Sequence, residues 1–285
     1  MGLRPDGRSE GSGGAVVRRT HPALSAWAWL VYAFLYLPIV VVIVFSFNDS
    51  RFGATWAGFT TRWYGVLFAR ADVREAVAHT LEIALLSTVV STILGTLVGL
   101  GLWRYTLRFR TGLTFLLVMP IVMPDVVMGV SLLMFYAFVR GLLERAGWTF
   151  DNGFWTVLLA HVTFQISYVA LTVRSRLAGY GRDLEEAARD LGATGLRSFL
   201  HVVLPLATPG VLAGALLAFT LSLDDFVVTY FTSGSGFRTL PVLIYTNVKR
   251  GVTPDINALS ALLVLVTVVA IIAANALLRP RRSAT

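Results

Sequence analysis

Six long apolar runs separated by shorter polar segments set the organisation of this chain. They cover residues 26–47, 80–102, 112–139, 154–173, 209–231 and 258–278, and their apolar residues are continuous rather than alternating. A hydrocarbon core about 30 Å thick needs roughly 20 such residues in one helix. Because a segment in lipid must satisfy its own backbone groups, continuous runs of this length predict α-helices and exclude a barrel. The pattern predicts an all-α integral membrane protein with six transmembrane helices in one domain over residues 26–278, flanked by tails at 1–25 and 279–285.

Within the runs, small residues and breakers recur. Gly95 and Gly99, and again Gly210 and Gly214, lie one helical turn apart, a spacing that lets a neighbouring backbone come close. Pro120 and Pro124 sit inside the third run and predict a kink or break there. Between the first two runs, residues 48–79 carry Phe52, Trp56, Phe59, Trp63, Tyr64 and Phe68, which reads as an interfacial helix lying on the membrane. Trp27 and Trp29, with Tyr32 and Tyr36 behind them, open the first run as an aromatic belt does.

Composition supports this reading: 56% of the 285 residues are hydrophobic and 14% charged. A formal charge of +8 would suggest a nucleic-acid partner in a soluble chain, but here the arginines flank apolar spans and no nucleic acid is implied. Fifteen of the 24 Lys and Arg fall on one side of the six-span topology and nine on the other. The positive-inside rule then puts both termini, and the segment between spans four and five, in the cytoplasm. The first run is too long for a signal-peptide core and reads as an uncleaved anchor. The absence of cysteine removes disulfides, thiolate chemistry and cysteine metal sites.

The segment between spans four and five is the most specific signal. It predicts a turn at Gly179 to Gly181, a short helix from Asp183 to Leu191 opened by Asp183 and Glu186, an end at Gly192, and a second helical piece from Leu196 that stops at Pro205. Glu186, Ala187 and Ala188, then Gly192, then Val202, Val203, Leu204 and Pro205, reproduce the spacing of the EAA loop of bacterial ABC importer permeases, with Val202 in place of the commoner isoleucine. The resemblance implies a type I ABC importer permease fold with a cytoplasmic coupling hairpin. It also implies that Glu186, Ala187, Ala188, Gly192, Leu204 and Pro205 belong to the surface that docks on a separate ATPase.

Charge inside the spans addresses cargo. A carboxylate near the bilayer centre costs about 2.5 to 3.5 kcal/mol on insertion scales, so Asp125, Asp224 and Asp225 are candidate substrate-path residues. Adjacent helical residues diverge by about 100°, so Asp224 and Asp225 need not face one cavity: one lines the path while the other meets a partner helix. Asp125 follows the Pro120 and Pro124 break, where it either satisfies free amides at the start of a half-helix or meets substrate. His161 and Gln165, one turn apart, could line a polar strip; a hydrogen bond to a neighbouring helix is their commoner use. Glu82, near the end of its span, is given no substrate role.

Trp56 to Gly58, Thr61 to Gly65, Val122 to Val126, Leu159 to Phe164, Glu185 to Thr194, Ala218 to Val227 and Arg250 to Ala258 together resemble the second permease subunit of the polyamine importers, the putrescine systems above all. What this implies is a bacterial inner-membrane subunit that pairs with a homologous permease, two ATPase subunits and a periplasmic or extracytoplasmic binding protein. The chain itself would hold no cofactor or metal and would not be an enzyme, with ATP hydrolysed by the partner; no Walker A pattern occurs. Acidic residues would meet the ammonium ends of putrescine or spermidine, and Phe226 or Tyr136 would cover the stem or face a cation. A permease for another cargo (an opine, iron or a small metabolite) is the alternative, ahead of an intramembrane enzyme or a receptor. No H-E-x-x-H pattern occurs to favour the enzyme.

Overall fold

The computed structural model of the chain describes residues 22–50, 55–106, 108–181, 183–251 and 253–278. Residues 1–21 and 279–285, most of one expected tail and all of the other, lie outside the described residues, as does Phe52. Among the described residues all regular structure is helical apart from one isolated antiparallel bridge between Asn48 and Phe59.

Helix α1 spans Pro22–Phe45, α2 Arg62–Ala69, α3 Ala71–Arg104, α4 Arg110–Val122, α5 Asp125–Arg145 and α6 Phe154–Leu177. Then follow α7 Asp183–Asp190, α8 Gly195–Ser198, a π-helical stretch Phe199–Val203, α9 Leu204–Asp224, α10 Val227–Thr232, α11 Leu240–Arg250 and α12 Pro254–Leu278. Among the described residues five helices are long and apolar enough to cross a membrane: Ala23–Phe45, Ala71–Arg104, Asp125–Arg145, Phe154–Leu177 and Gly195–Asp224. Arg110–Val122 and Pro254–Val269 are shorter apolar helices.

The core is α6 clasped by α3 and α9. Two-thirds (67%) of the apolar window of α6 is buried against none of that of α1, so α6 is the axis of the fold and α1 its periphery. Glycines make the clasp possible. A Cβ at Gly95 would stand 2.6 Å from Val169 Cβ, and one at Gly99 would stand 2.6 Å from the Ala170 carbonyl oxygen. On the other side of α6, Gly210 and Gly214 meet Arg176 and Val169 in the same way. Without a hydrophobic force between helices in lipid, such close approach supplies the dispersion contact that holds them.

The third run is not one helix. The chain leaves α4 at Val122, extends through Met123 and Pro124, and restarts at Asp125, because Pro124 cannot continue an amide ladder and biases the residue before it to extended backbone. The fifth run breaks as well: α9 ends at Asp224, Asp225 is extended, and α10 begins at Val227. Pro205, expected to stop a helix, instead lies within the continuous helical stretch Gly195–Asp224. The chain accommodates it by widening over Phe199–Val203, with Leu204 N–H donating to Phe199 O.

At one end of the bundle α2, α11 and the first turns of α12 pack against α3. Trp63, Leu67, Val73, Leu240, Leu243 and Leu259 form this cluster, and Trp63 Nε1 donates to Asn48 O at 2.8 Å. Arg70 ties it together through Asp72, at 2.6 Å, and Asp255. The segment between the first two runs forms the short helix α2, with Trp63 and Leu67 turned into protein and Phe68 exposed.

Candidate functional site

The two helix breaks meet. Pro120, Asp125 and Met128 from the first, and Leu221, Asp224, Asp225, Phe226, Val227 and Val228 from the second, line a cavity of about 280 Å³ closed on a third side by Phe164 and Tyr168 of α6. All three carboxylates read from the sequence thus border one space, with Phe226 beside them. Tyr136 does not: it is buried elsewhere, its hydroxyl donating to Thr156 O at 3.0 Å and its ring against Phe135 and Phe150.

The three carboxylates are not equivalent. Asp225 caps α10, its Oδ2 accepting from Thr229 N–H at 2.8 Å and from the Thr229 hydroxyl at 2.7 Å, and its Oδ1 from Val228 N–H at 3.3 Å. His161 Nε2 lies 3.3 Å from the same Oδ2. Asp224 and Asp125 are exposed and make no ion pair or side-chain hydrogen bond to other described residues. A carboxylate in a polar cavity with its lone pairs unspent is available to a cation; one that already accepts several bonds is not. The sequence left open which of the adjacent pair meets a partner helix, and the hydrogen bonds give that place to Asp225.

Behind Asp225 runs a buried polar chain. Ser91 Oγ donates to Gln165 Oε1 at 2.9 Å, and Gln165 Nε2 donates to Ser87 Oγ at 3.1 Å and to Ala218 O at 3.2 Å. Ser87 and Ser222 hydroxyls are 3.3 Å apart, and Ser222 Oγ lies 2.7 Å from His161 Nδ1. His161 Nε2 is 2.9 Å from the Thr229 hydroxyl. Since that hydroxyl gives its proton to Asp225, His161 Nε2 is the donor to it. The chain pins α3, α6, α9 and α10 together behind Asp225. Gln165 and His161 are therefore helix-to-helix ties. Ser87, Ser91, Ser222 and Thr229 escaped the sequence reading because hydroxyls at helical spacing are common in any span.

At the opposite break in composition stands the hairpin. Helix α7 ends in paired bonds, Gly192 N–H to Arg189 O at 2.8 Å and Ala193 N–H to Ala188 O at 3.0 Å, with Gly192 at φ +87°, the left-handed turn that favours glycine. Glu186, Ala187, Gly192 and Pro205 are exposed, Ala188 and Leu204 half-buried. Leu191, next to the turn, is 91% exposed, so the tip presents an apolar side chain to its surroundings. The residue that fastens the hairpin is Glu185, buried between Arg104 at the end of α3 and Arg189, 2.8 Å away on its own helix. Sequence reasoning passed over Glu185 in favour of Glu186; its signal was Arg104, a cation at a span end with no partner nearby in sequence.

Residues 87–281 match the family model described as binding-protein-dependent transport system inner membrane component. The chain belongs to this family. It is a permease subunit of the inner membrane, and not an enzyme. The permease is 43% identical over 236 residues to the putrescine transport system permease protein PotI of Escherichia coli, covering 82% of this chain and 83% of that one. It is 40% identical over 254 residues to the spermidine/putrescine transport system permease protein PotC of Escherichia coli, covering 88% and 92%. Among solved structures, the permease resembles in fold a bacterial ABC transporter for import of the acidic polysaccharide alginate, with a TM-score of 0.70 at 16% identity over 92% of this chain and 95% of that one. A methionine ABC transporter gives a TM-score of 0.58 at 18% identity over 76% and 95%.

Proposed function

We propose that this permease forms half of the membrane channel of an ATP-driven importer for polyamines, with putrescine or spermidine as cargo. The observation that carries the reading is the cavity at the two helix breaks, in which Asp125 and Asp224 have no ion-pair or side-chain hydrogen-bond partner among the other described residues while Phe164, Tyr168 and Phe226 line the same walls. A polyamine is a chain of methylenes with ammonium groups along it. Carboxylates meet the ammoniums through charge-assisted hydrogen bonds and ring faces cover the methylenes. The names of the two Escherichia coli relatives support the same cargo class.

In this reading the chain crosses the membrane six times, through α1, α3, the α4 and α5 pair, α6, the α9 and α10 pair, and α12, with both termini in the cytoplasm. A homologous permease completes the channel, an extracytoplasmic binding protein delivers cargo, and two ATPase subunits dock on the hairpin. Glu186, Ala187, Ala188 and Gly192 form the docking face, with Leu204 and Pro205 leading from it into α9. Force applied to the hairpin reaches the cavity along α9, whose far end is Asp224. Motion of α9 therefore moves the carboxylate that holds the cargo relative to Asp125 on α5.

The test is ATPase activity of the complete complex with its binding protein, measured against putrescine, spermidine, an opine, ferric iron and neutral amino acids. Stimulation by polyamines alone supports the proposal, and stimulation by another cargo with none by polyamines defeats it.

A further inference from the structure

Phe226 has two neighbourhoods. One edge borders the acidic cavity; the other meets a second cluster of rings. Its centroid lies 4.3 Å from that of Tyr245 at an interplanar angle of 41°, and 5.5 Å from that of Tyr230. Tyr230 and Tyr245 are 5.9 Å apart and nearly perpendicular, at 75°. The three rings come from the helix break, α10 and α11, so the cluster is a tertiary construction. Leu240, Val242 and Leu243 are buried and anchor α11 beneath it. Tyr245 remains half-buried and Tyr230 exposed, so ring faces stay accessible.

A cation already sits there. Lys249, one turn beyond Tyr245 on α11, holds its Nζ 4.7 Å from the Tyr245 ring centroid, within the roughly 6 Å over which a ring face attracts an ammonium. An exposed lysine is charged at neutral pH, and Tyr245 raises the Lys249 ammonium further above its usual range. The lysine is fully exposed, its flexible stem free to swing the head into water. A primary alkylammonium on a ring face is the chemistry a polyamine end would bring.

We propose that Phe226, Tyr230 and Tyr245 form an aromatic subsite for the ammonium end of a polyamine entering the acidic cavity, and that the Lys249 ammonium occupies the Tyr245 face until the substrate displaces it. The inference rests on the polyamine reading of the cavity. Lys249 acts as an internal competitor: it repels a free cation from the empty cavity mouth and gives way to one that also gains Asp224.

The experiment measures putrescine uptake by the complete complex with its binding protein in proteoliposomes, for the wild type and for Tyr245→Ala, Tyr245→Phe and Lys249→Met. A lost ring face should raise KM for Tyr245→Ala by about 3- to 10-fold, while Tyr245→Phe keeps the face and stays near the wild type. Lys249→Met should lower KM by about 2- to 5-fold, since the competitor is gone. An unchanged KM in Tyr245→Ala, an equal loss in Tyr245→Phe, or an unchanged or raised KM in Lys249→Met overturns the subsite. Lys249 is exposed, so its variant tests the idea even where a tyrosine variant assembles poorly. A wild-type complex that takes up no putrescine defeats the importer reading itself, a result separable from failure of the subsite.

Discussion

His161 Nε2 on α6 stands 3.3 Å from Asp225 Oδ2 in the break between α9 and α10, with the Thr229 hydroxyl bonded to both. The contact makes Asp225 a positioning residue, which fixes the start of α10 so that Asp224 and Phe226 face the cavity. His161→Ala leaves the Ser222 and Thr229 hydroxyls without this partner and loses about 1 to 3 kcal/mol of stability. Asp224→Asn, on an exposed side chain, stays within about 0.5 kcal/mol of the wild type. Thermal unfolding of the purified complex reads both, and equal shifts in the two variants would show that the network does not distinguish them.

The close approach of α3 to α6 gives a second test. A methyl group at Gly99 meets a backbone oxygen at 2.6 Å, which cannot step aside as a flexible side chain would, whereas one at Gly101 meets nothing within 4 Å. Gly99→Ala should lower stability by about 1 to 3 kcal/mol through overpacking, and Gly101→Ala should be tolerated. The yield of monodisperse complex on size-exclusion chromatography measures this. Comparable yields for the two variants would mean that the helices do not pack so closely.

Two adjacent glutamates on α7 should behave differently. Glu186 is exposed on the proposed docking face, and Glu186→Lys should weaken co-purification of the ATPase while leaving the permease folded. Glu185 is buried against Arg104 and Arg189, so Glu185→Ala leaves two arginines without their carboxylate and loosens the hairpin from α3. Protease nicking of the hairpin in the isolated permease should rise for Glu185→Ala alone. Normal ATPase co-purification with Glu186→Lys removes that residue from the interface.

Much of this molecule was legible in its sequence because lipid imposes simple rules. Apolar length located the long helices, Pro124 marked the break before Asp125, and Gly192 marked the end of α7. The hairpin spacing and the ordered set of matching segments reached the family. What escaped depended on contacts between distant segments. Asp225 looked the equal of Asp224 until His161 and Thr229 closed around it, and Tyr136 looked free until Thr156 took its hydroxyl. Pro205 read as a stop because a proline ends a regular α-helix; a widened turn at Phe199–Val203 carries the helix past it instead. The break after Asp224 carries no proline or glycine, so only the cap made by Asp225 itself explains it.

The most direct measurement is ATP-dependent uptake of labelled putrescine by the reconstituted complex, with wild-type permease and with Asp224→Asn side by side. The account predicts saturable uptake by the wild type that requires the binding protein. Asp224→Asn should lower kcat/KM about tenfold or more, the loss of one charge-assisted hydrogen bond, with the ATPase subunits still attached. Undiminished uptake in Asp224→Asn and in its double variant with Asp125→Asn, or a wild-type complex that accumulates a different cargo and no polyamine, would contradict it.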